Sequence, residues 1–222
     1  MTQDRDKIDD AADQAQASDA QHDRDQRVAP RFALLLRGAK LLCTRGEFLC
    51  IIRDVSETGV KLRLFHPLPT GEQHFLLEQS CGDRFMAELV WERDGEAGFR
   101  FASAIDVAHF LAEENLYPRR PIRLNVASPV MLTVERRLVP ATLCNISREG
   151  ARIETAERLA IGQPLRIAGA DLPEFDATVC WRKAPAHGLA FRQCMDLGDL
   201  ARLVATMNLH DGNDKPPHVN VA

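Results

Sequence analysis

From about residue 32 onward the chain is a succession of short, strand-like apolar runs. FALLLRGAKLL, EFLCIIRDV, GVKLRLF, HFLLEQ, RFMAELVWE and GFRFA follow one another, separated by Gly, Pro and polar turns. Runs of this length bounded by turn residues predict strands rather than helices. A second series, PVMLTVE, VPATLCNI, GARIETA, LRIAG, FDATVCWR and GLAFRQ, has the same character. Each series closes on a helical segment, DVAHFLAEENL from Asp106 and MDLGDLARLVATMNL from Met195. Asp106 is the candidate N-cap of the first, and Asp196 or Asp199 of the second, whose Leu200, Leu203, Val204 and Met207 share one face. Such a helix is expected to pack on its own barrel or at the contact between the two units. Many short antiparallel strands in under about 100 residues predict a closed barrel, which also leaves no exposed edge.

The two series are one unit written twice, with an offset of 90 to 92 residues. QRVAPRF from Gln26 answers RRPIRL from Arg119, and DVSETGVKL from Asp54 answers NISREGARI from Asn145. AELVWERDGEAGFRF from Ala87 answers ATVCWRKAPAHGLAF from Ala177, aligning Trp91 with Trp181, Gly98 with Gly188 and Phe101 with Phe191. The organisation expected is a tail over 1–24, domains over 25–116 and 117–210, and a loose tail over 211–222. The fold class is mainly β: two tandem six-stranded antiparallel barrels, each followed by a short α-helix. Residues 1–24 carry almost no large apolar side chains and cannot offset the entropy of ordering, so they are read as disordered.

Charge sharpens this picture. The formal net charge of -4 comes from residues 1–26, where eight aspartates face three basic residues; the remainder is near +1. A broad basic nucleic-acid face is therefore not indicated, and any anion site must be local. No apolar run approaches the roughly 18 residues of a membrane helix, and the acidic start does not resemble a secretory signal, so a cytoplasmic location without membrane insertion is expected. The six cysteines (Cys43, Cys50, Cys81, Cys144, Cys180, Cys194) form no CxxC and read as buried free thiols. The histidines show no zinc-ligand spacing, so no metal and no cofactor are expected.

Each unit opens with two arginines four apart with a proline between them: Arg27 and Arg31 in RVAPR, Arg119 and Arg123 in RRPIR. Pro30 and Pro121 disfavour helix in the residue before them, placing each pair on an extended connector ahead of the first strand. The guanidinium is permanently charged and planar, binds phosphate in bidentate fashion, and matches the O6 and N7 acceptors of guanine. About 26 residues later comes [DN]xSxxG: Asp54, Ser56 and Gly59, then Asn145, Ser147 and Gly150. The spacing predicts a tight turn between strands in which the glycine supplies backbone freedom. Asp54 or Asn145 and the serine hydroxyls are expected to face a ligand, as acceptors for guanine N–H groups or as orienters of an arginine.

RxxxR, then [DN]xSxxG, then a VxW…GxxF ending resembles the PilZ domain, in two copies over residues 26 to about 208. The resemblance implies a barrel that binds cyclic di-GMP, with the arginines on the N-terminal connector and the turn on the barrel face. It carries Arg27, Arg31, Asp54, Ser56 and Gly59 into a first site and Arg119, Arg123, Asn145, Ser147 and Gly150 into a second. Asn145 fits the pattern but removes one negative charge, which argues against equal affinity of the two. Arg120 is read as a solvated neighbour, and Trp91 and Trp181 as partly buried framework outside the site. The expected function is a cyclic di-GMP receptor that changes connector order and domain arrangement to signal to a downstream protein partner. The alternative is a protein-interaction scaffold in which one or both barrels no longer bind nucleotide. Few aromatics and near-neutral charge disfavour a nucleic-acid-binding barrel pair. No nucleophile with its base, carboxylate pair or phosphate-cradling loop marks an enzyme.

Overall fold

The computed structural model describes residues 32–112 and 121–211; side chains are described from residue 37 and up to residue 209. The acidic tail, residues 212–222, Arg27, Arg31, Arg119 and Arg120 lie outside the described residues, and Asp211, expected in the loose tail, ends the last helix.

Twelve strands form the two barrels. The first contains β1 (Phe32–Cys43), β2 (Gly46–Val55), β3 (Gly59–Leu64), β4 (His74–Gln79), β5 (Arg84–Arg93) and β6 (Glu96–Phe101). They close in the order β1-β2-β3-β6-β5-β4, every neighbour antiparallel. Helix α1 (Val107–Ala112) follows. The second contains β7 (Leu124–Val134), β8 (Arg137–Ser147), β9 (Gly150–Glu154), β10 (Pro164–Gly169), β11 (Phe175–Lys183) and β12 (Ala186–Phe191), closed in the corresponding order and followed by α2 (Leu197–Asp211). The duplication extends to irregularities of pairing. Register shifts between Ile52 and Asp54, and between Leu89 and Trp91, recur between Leu143 and Asn145 and between Val179 and Trp181.

Inward positions alternate along each strand and fill the barrels with Leu, Ile, Val and Phe. Leu41, Ile52, Leu62 and Leu77 are fully buried in the first barrel, and Leu132, Leu143, Ile146 and Ile153 in the second. Both helices start as expected. The amides of Ala108 and His109 donate to the Asp106 carboxylate at 2.8 and 3.2 Å. The amide of Gly198 donates to Asp196 at 2.7 Å, holding that carboxyl below its ordinary range. Asp196, rather than Asp199, is therefore the cap. Phe110 of α1 is buried against Phe85 and Phe101. In α2, Leu200 and Val204 are fully buried in the core of the second barrel, and Leu203 packs at its margin.

The units meet where α2 and the start of β7 reach β2. Leu49 points out of its own barrel between inward Phe48 and Cys50, yet it is 1% exposed and belongs to the second barrel's apolar cluster. Ala205 of α2 belongs reciprocally to the first cluster. Asn208 donates through Nδ2 to the Glu47 carbonyl at 2.8 Å, and a Cβ on Gly46 would stand 2.7 Å from it.

All six cysteines are described, and the expectation of burial is corrected: Cys50 is buried, three are half-buried, and Cys180 and Cys194 are exposed. Cys180 is exposed because it takes the outward position after inward Ala177 and Val179 on β11. Burial pushes the Cys43 thiol up to about 11.

His66 gives the fold a pH dependence. Its Nδ1–H donates to the Pro67 carbonyl at 2.7 Å, its ring packs on Phe48, and Nε2 is buried without a partner among the described residues. Desolvation lowers its pKa below the ordinary histidine value. The neutral form is thus favoured by folding, so this stability is present above about pH 6.5 and is lost as the pH falls through the lowered folded value. Urea unfolding between pH 7.5 and 5 is expected to show the wild type losing stability toward acid and His66→Gln losing measurably less. Parallel losses in the two proteins would remove His66 as the cause.

Candidate functional site

The two [DN]xSxxG turns are built alike. The Ser56 amide donates to the Gly59 carbonyl at 2.8 Å, and the Gly59 amide returns to the Ser56 hydroxyl at 3.2 Å. In the second unit the Ser147 hydroxyl donates to the Gly150 carbonyl at 3.1 Å and is fully buried. The serine hydroxyls therefore hold the turn from inside; the expectation that they face a ligand is corrected, because the hairpin's own backbone uses them.

The glycine rationale is corrected too. Neither Gly59 nor Gly150 is among the residues with positive φ. What each position demands is space. A Cβ on Gly59 would lie 2.6 Å from the Phe99 carbonyl oxygen, and one on Gly150 would overlap the Leu189 carbonyl oxygen. The glycines let β3 and β9 run close along β6 and β12, with Gly59 opposite Arg100 and Gly150 opposite Ala190.

Asp54 and Asn145 follow the register shifts in β2 and β8. Ile52 pairs with Leu62 and Asp54 with Lys61, leaving Arg53 as the extra residue; Leu143 pairs with Ile153 and Asn145 with Arg152, leaving Cys144. A bulge bends its strand and re-aims the following side chain, which turns these two residues onto the outer face. Asp54 also pairs with Ala33 of β1, and Asn145 with Asn125 of β7.

Of the sequence-selected arginines, Arg123 is described. It is exposed, and its Nη1 donates to Asn145 Oδ1 at 3.2 Å. Connector and turn thus meet in the second unit. Two residues further on, Asn125 binds the first unit: its amide and its Nδ2 donate to the Glu47 carboxylate at 3.0 and 2.7 Å. Lys40 stands 3.3 Å from the same carboxylate and 2.6 Å from Glu78, which it serves jointly.

Sequence reading passed over the cations opposite Asp54 and Asn145. Lys61 pairs with Glu96 at 2.6 Å and Arg152 with Glu154 at 2.7 Å. The signal was present: both stand two residues after the motif glycine. Trp91 and Trp181 lie across the neighbouring strand on Gly98 and Gly188, where a Cβ would collide with the indole. They are outer-face residues; Trp91 is half-buried and Trp181 43% exposed.

The fold and these corners define a tandem barrel protein with one Asp- or Asn-bearing turn of this kind per unit. The PilZ domain model matches residues 25–115 and 117–208. The chain belongs to the PilZ family. Among solved structures, it is similar to the Borreliella burgdorferi PlzA protein in complex with c-di-GMP, with 11% identity over 79% of this chain and 86% of that one at a TM-score of 0.31. It is similar to the Bacillus subtilis inhibitor of motility MotI/DgrA at 13%, over 82% and 99%, with a TM-score of 0.33. For YcgR from Escherichia coli in complex with c-di-GMP the values are 11%, 81% and 86%, and 0.29. No curated protein matches the chain. Among the described residues no helix is long and apolar enough to cross a membrane, and no group of His, Cys, Asp or Glu is arranged to hold a metal ion.

Proposed function

We propose that this chain is a cyclic di-GMP receptor with one site per barrel. The first site is formed by Arg27, Arg31, Asp54 and the Ser56–Gly59 turn, the second by Arg119, Arg123, Asn145 and the Ser147–Gly150 turn. The observation that carries the reading is the 3.2 Å hydrogen bond from Arg123 to Asn145. It brings a guanidinium from the connector to the acceptor at the turn, in a family-matched unit. An anionic guanine nucleotide offers phosphate oxygens and the O6 and N7 acceptors to the guanidiniums, while its N1 and N2 donors suit Asp54 or Asn145.

Binding draws each connector onto its barrel. In the second unit the connector lies between the units and leads directly to Asn125 and its bond to Glu47, so ordering it biases their arrangement. The output is a changed surface read by a protein partner. The scaffold alternative leaves Arg123 and Asn145 without a ligand to serve. Calorimetric titration of the full chain with cyclic di-GMP tests the choice. Saturable heat that vanishes when Arg31 and Arg123 are both replaced by alanine supports the receptor. No uptake at ~100 μM ligand supports the scaffold, since that bounds the affinity near 5.5 kcal/mol.

A further inference from the structure

We infer that the outer face of β7, β8 and β10 in the second unit docks a second copy of this chain, through the same face of that copy. The inference does not rest on the nucleotide reading. It concerns the side of the barrel by which the first unit holds the second.

The duplication makes the two faces comparable position by position. Both hairpins close on equivalent pairs, Cys43 with Gly46 and Val134 with Arg137. Lys40 opposite Leu49 therefore answers Met131 opposite Pro140, and Leu42 opposite Glu47 answers Thr133 opposite Leu138. On the adjoining strand Glu78, opposite Lys40, answers Ala168, opposite Met131. In the first unit every one of these positions is buried or half-buried. The second unit lies on them. Leu49 belongs to the second barrel's apolar cluster, the Glu47 carboxylate accepts from Asn125, and a Cβ on nearby Gly38 would stand 2.7 Å from the Ile122 side chain. In the second unit the same face is bare: Leu138 is 68% exposed and Met131 41%, with Pro129, Pro140 and Thr142 exposed beside them.

The chemistry changes with the cover. Lys40, Glu47 and Glu78 form a charged cluster in the first unit, whereas Met131, Leu138 and Ala168 put uncharged side chains at the three corresponding places. Pro129 is opposite Thr142, so from that pair to Thr133 opposite Leu138 no outward residue of β7 or β8 carries a charge. Covering such a patch recovers about 25 cal/mol for each Å² of apolar surface taken from water.

An uncharged patch is complementary to itself, which is what a two-fold contact demands of a surface that meets its own copy. The rim also suits that symmetry because it carries both signs. Arg137 stands 3.9 Å from Glu157 and Arg166 2.9 Å from Glu174, so arginines and glutamates of the two copies can exchange partners. The ends of the chain offer no apolar complement: the large apolar residues are Met1 and Ile8 within 1–24, and Val219 and Val221 within 212–222. The barrel is closed, so the copies meet through side chains and not by adding a strand. Three strands by three outward positions span about 14 by 20 Å, or roughly 300 Å². A standard interface covers about 800 Å² per partner, so the dimer is a reversible one, with a Kd in the micromolar range or weaker.

Sedimentation velocity of the full chain without nucleotide, from about 1 to 500 μM, is expected to show a reversible monomer–dimer equilibrium. The double variant Met131→Lys, Leu138→Lys is expected to raise the dimer Kd more than about tenfold, because the two-fold then sets like charges against each other. Both side chains are exposed, so circular dichroism and the melting temperature are expected to match the parent. Val90→Lys, at a 61% exposed position of the first unit, is expected to dimerise as the parent does. A parent that stays monomeric throughout that range overturns the inference and leaves the face to another protein. A double variant that dimerises like the parent, or a Val90→Lys variant that loses the dimer equally, also overturns it. Growth beyond the dimer would exclude the two-fold contact.

Discussion

Arg123→Ala weakens cyclic di-GMP binding at the second unit by about 10- to 150-fold, because a hydrogen bond to a charged group is worth about 1.5 to 3 kcal/mol. The guanidinium is exposed and its protein partner is a neutral amide oxygen at 3.2 Å, so little protein structure depends on it and most of the loss falls on the ligand. Arg123→Lys keeps the charge without the planar fork and recovers only part of the affinity. Calorimetry separates the sites when Arg31→Ala is titrated alongside. If Arg123→Ala, Arg31→Ala and the double variant all bind as tightly as the parent, the connector arginines do not form the sites.

The second large effect falls on stability. Gly150→Ala puts a Cβ into the Leu189 carbonyl oxygen, a backbone atom fixed in β12 by the neighbouring ladder pairs. Rotation of a side chain cannot relieve the overlap, so β9 or β12 must shift. We expect a loss of about 2 to 4 kcal/mol, and a fall in the melting temperature of the second unit of about 10 to 25 °C. Gly188→Ala offers a graded comparison. Its Cβ meets the Trp181 side chain, which is partly exposed and can swing aside, so the cost is smaller. Differential scanning calorimetry ranks the two; equal losses would show that carbonyl overlap is not what the motif glycine avoids.

That ranking also shows which part of the motif the chain discloses before it is folded. A glycine three residues after a serine marks a turn, and a turn is present. Its physical need was misassigned, because positive φ and a crowded neighbouring strand select glycine equally well. Leu89 and Phe99 face each other as the alternation requires, but the shift before Trp91 is invisible in residue types. The same blindness applies to Asp54 and Asn145, whose aim depends on one extra residue in the pairing. Leu49 is the clearest case. In the string FLC it reads as one apolar residue of a strand, and only the arrival of the second unit explains why its outward side chain is buried.

By itself the sequence determined the strands, the barrel repeated twice, the helix that closes each unit and the Asp106 cap. These follow from local periodicity, from turn chemistry and from a duplicated order of motifs, all of which are written along the chain. Tertiary structure alone decided that the serines look inward, that Glu47 of one unit binds Asn125 of the other, and that a face covered in the first unit is bare in the second. Those relations depend on strand register and on the docking of one barrel against another. Register and docking are fixed by the sum of many long-range contacts, so no short stretch of residues encodes them.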